Sequence, residues 1–355
     1  MDKRLERARS FLKGLDAILL VSRSNVRYLS GYTGTDAVYV CLQDKDYLFV
    51  DARNTLQAKD ETKACVVEVS RRWEDIRDVL VEEDVRSLGI ESNVLDVDSF
   101  IRMKDLFRGI EMTPLGGQLK HMRDLKDERE VACIQEAARI SEEALEHVLQ
   151  QGLVGRTEAE VAFDLEVGMR RRGADAVSFE LIVASGPRSA MPHGTASSRV
   201  IGKDEVVIID FGCIYRGYCS DQTVTVLTGR PPDGFEEVYR AVDEARLRAL
   251  KAVTPGMRAS DMDRIARGHL GSRGLDTFFG HGLGHGVGME VHESPTISSV
   301  SEDTLEEGMV FTVEPGVYLP GRFGVRLEDM AVVSDSSCKL LTNIDKGIVR
   351  IIDRE

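Results

Sequence analysis

Two hydrophobic patterns divide the chain. Up to about residue 115, short apolar runs, 17-AILLV-21, 37-AVYVCL-42, 47-YLFV-50 and 88-LGI-90, alternate with helically spaced stretches at Met1–Lys13, Trp73–Glu83 and Val97–Phe107. Such alternation predicts a sheet covered by helices, an α/β unit. The composition shifts at 114-PLGGQLKHMRDLKDERE-130, where proline and two glycines give way to dense charge. Beyond it a long amphipathic helix is expected from Lys126 to Gln150, stopped at Gly152. The next opens at Thr157, with Glu160 three residues on, so that each side chain can satisfy the other's free backbone N–H. Further helices are expected over 233–253 and 258–271, and strands at 205-EVVIIDFG-212, 218-YCSDQTVTVL-227, 309-MVFTVEPG-316 and 323-FGVRLEDMAVV-333. The second part therefore reads as helices on a largely antiparallel sheet, and the whole as an α+β chain with domains 1–118 and 119–355. EVVIIDFG and GMVFTVEPG share an apolar run, an acid, one residue and a glycine, a faint echo of a duplicated half-domain.

Charge narrows the partners. The net charge of -14 is spread along the chain rather than gathered in a tail, which disfavours nucleic acid or an anionic membrane as a partner. The basic run RRR at 170–172 closes a helical pattern and reads as a solvated helix end. No stretch approaches the roughly 20 apolar residues that span a bilayer, and the N-terminus lacks a signal-peptide pattern. The six cysteines include no C-x-x-C pair. A cytosolic, reduced protein is expected, with the cysteines as small core residues.

Carboxylates stand where strands should be apolar. Asp210 ends one apolar run and Asp221 begins the return strand. A hairpin turning at Tyr215–Arg216 would make them direct cross-strand partners, with Cβ atoms roughly 4.5–5.5 Å apart. Two half-buried carboxylates that close need a cation between them. Glu314 and Glu328 repeat the problem on a second strand pair, where period two places Arg326 on the face of Glu328, able to orient it. In 280-GHGLGHGVGMEVHESP-295, glycines at every second position leave one bare face, and His281 and His285 lie on the other. The dinucleotide-binding and P-loop glycine patterns are absent, so a histidine presented to a metal is preferred there, either His281 or His285. Histidine with aspartate and glutamate suits Mn, Co, Zn or Fe(II). Four acid charges balance two divalent ions.

The ordered set DFG…SDQT…GHGLGHGVGMEVHESP…VEPG…RLED resembles the pita-bread metallopeptidases: methionine aminopeptidase, aminopeptidase P, prolidase and their inactive or metal-free relatives. The stretches 25-NVRYLSGYTGT-35, 51-DARNTLQAK-59 and 88-LGIESN-93 are similar to the N-terminal domain of the proline-specific branch. The resemblance implies a pita-bread catalytic domain behind a creatinase-like α/β domain. It implies two divalent ions, Mn or Co first and Zn or Fe as alternatives, held by Asp210, Asp221, His285, Glu314 and Glu328. It assigns a water activated by the ions as nucleophile, His292 to the scissile carbonyl oxygen, His193 to the substrate, and Glu314 to proton transfer to the leaving nitrogen. Phe179 and Val291 match positions lining the proline pocket, His281 reads as structural, and Thr223 as packing or a hydrogen bond to a carboxylate.

Several prolidases carry an arginine after the HE pair, to hold a dipeptide's free carboxylate; 292-HESPTIS-298 has Ser294 and Thr296 instead. That tilts the expectation toward an Xaa-Pro aminopeptidase acting on short proline-containing peptides. The alternatives are an Xaa-Pro dipeptidase and, further off, a methionine aminopeptidase or a non-catalytic peptide-binding relative. The family architecture also implies a homodimer in which the Tyr32–Asp36 loop approaches the partner's cleft.

Overall fold

The apolar runs of the first part lie side by side in a six-stranded sheet. In this computed structural model, which describes residues 3–351, β1 (Ala17–Leu20), β2 (Val38–Leu42), β3 (Asp46–Val50), β4 (Cys65–Glu68), β5 (Ser87–Ile90) and β6 (Glu111–Pro114) are ordered β4-β3-β2-β1-β5-β6. β2 runs antiparallel to both neighbours and the other pairings are parallel. β1 and β2 are buried along their whole length, which is why they read as unbroken apolar runs. The helices are α1 (Lys3–Arg9), α2 (Arg23–Ser30), α3 (Thr55–Glu61), α4 (Arg72–Glu82), α5 (Val97–Leu106) and the single turn α6 (Gly116–Leu119). Met1 and Asp2 of the first expected helix lie outside the described residues.

Two of these elements, β6 and α2, have little apolar signature, and the apolar residues of β4 are exposed or only partly buried. β4 and β6 are sheet edges with exposed ends. α2 buries Ser24, Asn25 and Ser30. Its polar interior is satisfied by Glu91, which is 2% exposed and accepts from the Val21 and Ser22 N–H groups at 2.8 Å each and from the Ser22 hydroxyl at 2.6 Å.

The chain divides between Arg123 and Asp124 into two units. The second opens with α7 (Glu128–Gln150), two residues later than expected because Asp127 is its N-cap, in a reciprocal box with Glu130. α8 (Glu158–Arg171) starts on the Thr157–Glu160 box, with Arg170 and Arg171 in its last turn. α9 (Phe235–Ala252) and α10 (Ala259–Gly271) follow. The strands are β7 (Ala176–Val177), β8 (Ile182–Ser185), β9 (Val206–Phe211), β10 (Cys213–Tyr215), β11 (Tyr218–Cys219), β12 (Gln222–Leu227), β13 (Gly284–Gly286), β14 (Glu293–Ile297), β15 (Val310–Val313), β16 (Gly316–Leu319), β17 (Phe323–Arg326), β18 (Asp329–Val333), β19 (Cys338–Leu340) and β20 (Val349–Arg350). One sheet is ordered β20-β12-β9-β8 and another β14-β13-β15-β18-β19. Every pairing in this unit is antiparallel except β12 with β20.

Each half of the unit has its own helix pair. Ile140, Leu145 and Leu165 of α7 and α8 pack with Ile209 and Val224 of β9 and β12. Phe235, Val242 and Leu270 of α9 and α10 pack with Phe311 and Val325 of β15 and β17. This repetition is the structural counterpart of the echo between the two acid-ended runs.

The hairpin register differs from expectation. Tyr215 pairs with Tyr218, so the turn falls at Arg216–Gly217, and Asp210 faces Thr223 rather than Asp221. The cause is the turn itself: a two-residue loop matching strand twist needs positive φ at both positions, and Arg216 (φ 50°) and Gly217 (φ 83°) supply it. Asp221 is left just outside β12, displaced by two residues from Asp210's partner. Two residues preserve the face, so both carboxylates still point the same way.

Candidate metal centre

Asp210, Asp221, His285, Glu314 and Glu328 line one cavity of about 480 Å³. They arrive from both halves: β9 carries Asp210 as its last residue but one, Asp221 precedes β12, β13 carries His285, Glu314 follows β15, and Glu328 lies between β17 and β18. His285 Nε2 stands 3.5 Å from Asp221 Oδ2 and 3.4 Å from Glu314 Oε1. Ligating atoms of Asp221, His285 and Glu328 all fall within 4.8 Å of one another.

The hydrogen-bond pattern around these groups suits a cation. His285 Nδ1 lies 3.1 Å from the Gly286 carbonyl, to which it can only donate, so Nε2 carries a lone pair. That nitrogen faces oxygens of Asp221 and Glu314 and has no proton of its own to give them. Asp210 Oδ1 and Glu328 Oε1 are buried without a hydrogen-bond partner. Burial, then the neighbouring charges of Glu328, Asp210 and Glu314, pushes the Asp221 carboxyl well up. Burial does the same to Glu328 and raises Glu314 to about 8, while it lowers His285 to about 4. Neutral imidazole, orphaned oxygens and mutually repelling acids are a donor set that divalent ions satisfy.

Arg326 orients a different acid from the one expected. Its Nη2 donates to Asp210 Oδ2 at 2.7 Å, Nε to the Thr223 hydroxyl at 3.0 Å, and Nη1 to the Tyr318 hydroxyl at 2.8 Å and the Pro192 carbonyl at 2.9 Å. β17 ends at Arg326, so period two does not carry through to Glu328. Thr223 completes the link, donating to Glu328 Oε2 at 2.8 Å. The charge count must also include this guanidinium beside the four acids.

The alternate glycines serve close approach. A Cβ on Gly284 would lie 2.1 Å from the Thr312 carbonyl oxygen, and one on Gly286 2.0 Å from that of Ser294. Strand backbone on both sides leaves no space. His285, between them, receives its backbone anchor from Thr312, whose hydroxyl accepts its N–H at 3.1 Å. His281 is occupied differently. Its Nδ1 lies 2.8 Å from the Gly282 carbonyl and its Nε2 3.0 Å from the Tyr318 hydroxyl. With Arg326 donating to Tyr318, the consistent pattern has Tyr318 donating to His281 Nε2. Both ring nitrogens of His281 are thus engaged, and burial holds it neutral, lowered to about 4.

His193, His292, Phe179 and Val291 line the same cavity. The His292 ring lies edge-on to His285, with centroids 4.3 Å apart. Tyr318 and Thr312 were missed by sequence reasoning. Nothing in a strand pattern separates a buried tyrosine that bridges two site residues from one that merely packs.

Metal binding to this set has a thermal signature. An ion at about 100 times its dissociation constant stabilises the fold by about 2.7 kcal/mol, which for a unit of this size raises Tm by about 5–10 °C. Scanning calorimetry of chelator-stripped protein with and without Mn or Co should show that rise, and Asp221→Asn/Glu328→Gln should not. Coincident transitions in the parent protein would refute the metal assignment.

Comparison with known proteins agrees with this geometry. Residues 132–335 match metallopeptidase family M24, and residues 4–125 the creatinase/prolidase N-terminal domain. The chain belongs to metallopeptidase family M24. As an M24 metallopeptidase it is 35% identical to an Xaa-Pro dipeptidase of Pyrococcus furiosus over 352 residues, 98% of this chain and 100% of that one. Its fold matches the crystal structure of an X-Pro aminopeptidase from Thermotoga maritima at a TM-score of 0.92 and 38% identity, covering 99% and 100% of the two chains. It matches an Xaa-Pro dipeptidase from Bacillus anthracis at 0.95 and 36%, covering 99% of each. Within family M24 the two-unit organisation is therefore that of enzymes, and the chain is a metallopeptidase. Among the described residues no helix is long and apolar enough to cross a membrane.

Proposed function

We propose that this chain is an Xaa-Pro aminopeptidase, releasing the first residue of short peptides with proline second. The observation that carries the choice is cationic: Arg326 is the one lysine or arginine among the described residues lining the cavity. It is already committed to Asp210, Thr223, Tyr318 and Pro192. A dipeptide would place its free carboxylate in a cavity with four acids and no uncommitted cation, at a desolvation cost. A longer peptide carries a neutral amide there.

Five ligating side chains, with an unpartnered oxygen on each of Asp210 and Glu328, support two ions, Mn or Co. When bound, divalent ions polarise the peptide carbonyl and lower the pKa of a coordinated water toward about 7. The protein supplies the rest. Phe179 and Val291 give the cavity an apolar wall that suits a pyrrolidine ring and excludes water from the reacting bond. His292 donates to the carbonyl oxygen as negative charge develops on it. His193 stands at the cavity wall as a polar contact to substrate. Glu314 passes a proton to the leaving nitrogen, which in an Xaa-Pro bond is tertiary and leaves poorly until protonated. Family membership supports a homodimer, and the free cysteines a cytosolic setting.

The test compares an X–Pro dipeptide with the matching X–Pro–Y tripeptide, using chelator-stripped protein before and after Mn or Co. Metal-dependent cleavage of the tripeptide, at least about tenfold faster, is expected. Preference for the dipeptide would make the enzyme a prolidase, the activity carried by relatives such as that of Pyrococcus furiosus. No cleavage of either by metal-loaded protein would refute the proline assignment.

A further inference from the structure

The loop that carries Val291 and His292 is tied down by an ion pair the reaction itself does not use. Lys126 Nζ lies 3.0 Å from Glu293 Oε2, with side chains 1% and 2% exposed. A fully buried pair is weak evidence for stability, since apolar replacements often fold as well or better. Its location therefore asks for another reason.

Glu293 directly follows His292, and its carboxylate sits on the loop that precedes it. Oε1 accepts the Glu290 N–H at 3.1 Å. A Cβ on Gly288 would stand 2.3 Å from Oε2, so the carboxylate rests against the bare backbone there. One side chain thus ties the backbone at residues 288 and 290 to the residue that directly follows His292. At its far end, Lys126 fixes that carboxylate to a second reference point. The Lys126 N–H donates to the Gly308 carbonyl at 2.9 Å, and Leu125 bridges to Met309, immediately before β15 and Glu314. The pair therefore joins the loop bearing His292 to the strand leading to Glu314.

We propose that Lys126 and Glu293 are positioning residues, whose buried pair holds His292 in register with the metal centre. This rests on His292 acting on the substrate carbonyl, as described above. The stated geometry makes the effect one of alignment: displacement of a catalytic group by about 1 Å can cost 10²-fold in rate. The metal ligands have their own anchors, Thr312 for His285 and Arg326 for Asp210, so metal binding should be spared.

The decisive variant is Lys126→Met/Glu293→Leu, which removes both charges together. It should fold, bind metal with unchanged affinity, and keep KM within about threefold on whichever peptide the parent cleaves, while kcat falls about 10–100-fold. In a His292→Ala background the same double change should cost less than about threefold, because both act through one imidazole. An undiminished kcat, or the full loss repeated without His292, would overturn the proposal and leave the pair a packing element. Should the double variant fail to fold, Glu293→Gln carries the same comparison with a smaller fall. A turnover-free readout separates failure of this idea from failure of the peptidase reading. In zinc-loaded, ¹³C-histidine-labelled protein, the His292 C2–H resonance, identified by its loss in His292→Ala, should be single and sharp. It should broaden or split in the double variant; an unchanged resonance overturns the proposal even where no peptide is cleaved.

Discussion

Asp221→Asn should remove metal-dependent peptide hydrolysis by at least about 10³-fold, beyond the 10–100-fold typical of residues that only support a ligand. Asparagine keeps the shape and one acceptor oxygen. It loses the charge, and its amide group turns hydrogens toward neighbours selected to receive a cation. The position is exacting: Asp221 Oδ2 is 3.5 Å from the unprotonated nitrogen of His285, and burial, then the charges of Glu328, Asp210 and Glu314, raises its pKa. Removing one of these acids relieves repulsion in the empty site, so the variant should melt no lower than chelated parent. Activity at saturating Mn, metal content and circular dichroism together decide the matter. Activity within tenfold of the parent at equal metal content would eliminate Asp221 as a ligand.

His292→Ala should act on the rate rather than on binding. Loss of one preorganised donor to a developing oxyanion costs about 10²–10³ in kcat, while the ground-state carbonyl has little to lose, so KM should change by less than about fivefold. Steady-state kinetics on an X–Pro–Y peptide separates the two. A large rise in KM with kcat preserved would make His292 a plain binding residue. The imidazole packs edge-on against His285, so metal content must be measured beside the rates.

The acids of the site were legible because they break a rule. Asp210 lies within the buried run of β9 and Glu314 directly follows the buried run of β15, and a carboxylate in such a place needs a partner. The two-residue error in pairing Asp210 had a local origin. A hairpin's centre depends on which residues accept positive φ, and Gly217 moved the turn by one position at each side. Arg326 shows a different limit. Its face could be read along β17, but its partner, Asp210, lies 116 positions away on another strand, and such a pairing exists only once the two halves of the unit have met. The same holds for Lys126 with Glu293, separated by 167 positions. β6 and α2 were silent because edges and hydrogen-bonded interiors do not need apolar side chains. Composition marks burial from water; it does not mark burial among polar partners.

The backbone contacts around His285 have a consequence for how sequence variation in this protein should be read. At Gly284 and Gly286 the obstructing atoms are carbonyl oxygens of adjacent strands, so even alanine must part the sheet. In a saturation survey of every position, these two would be as intolerant as the acids themselves, although neither contributes an atom to the chemistry. His281, with both nitrogens satisfied internally, would accept a few replacements at reduced rate. Intolerance along this ribbon would thus peak at residues that do nothing but stay small. A tolerance profile taken as a map of catalysis would place the reaction's centre on two glycines.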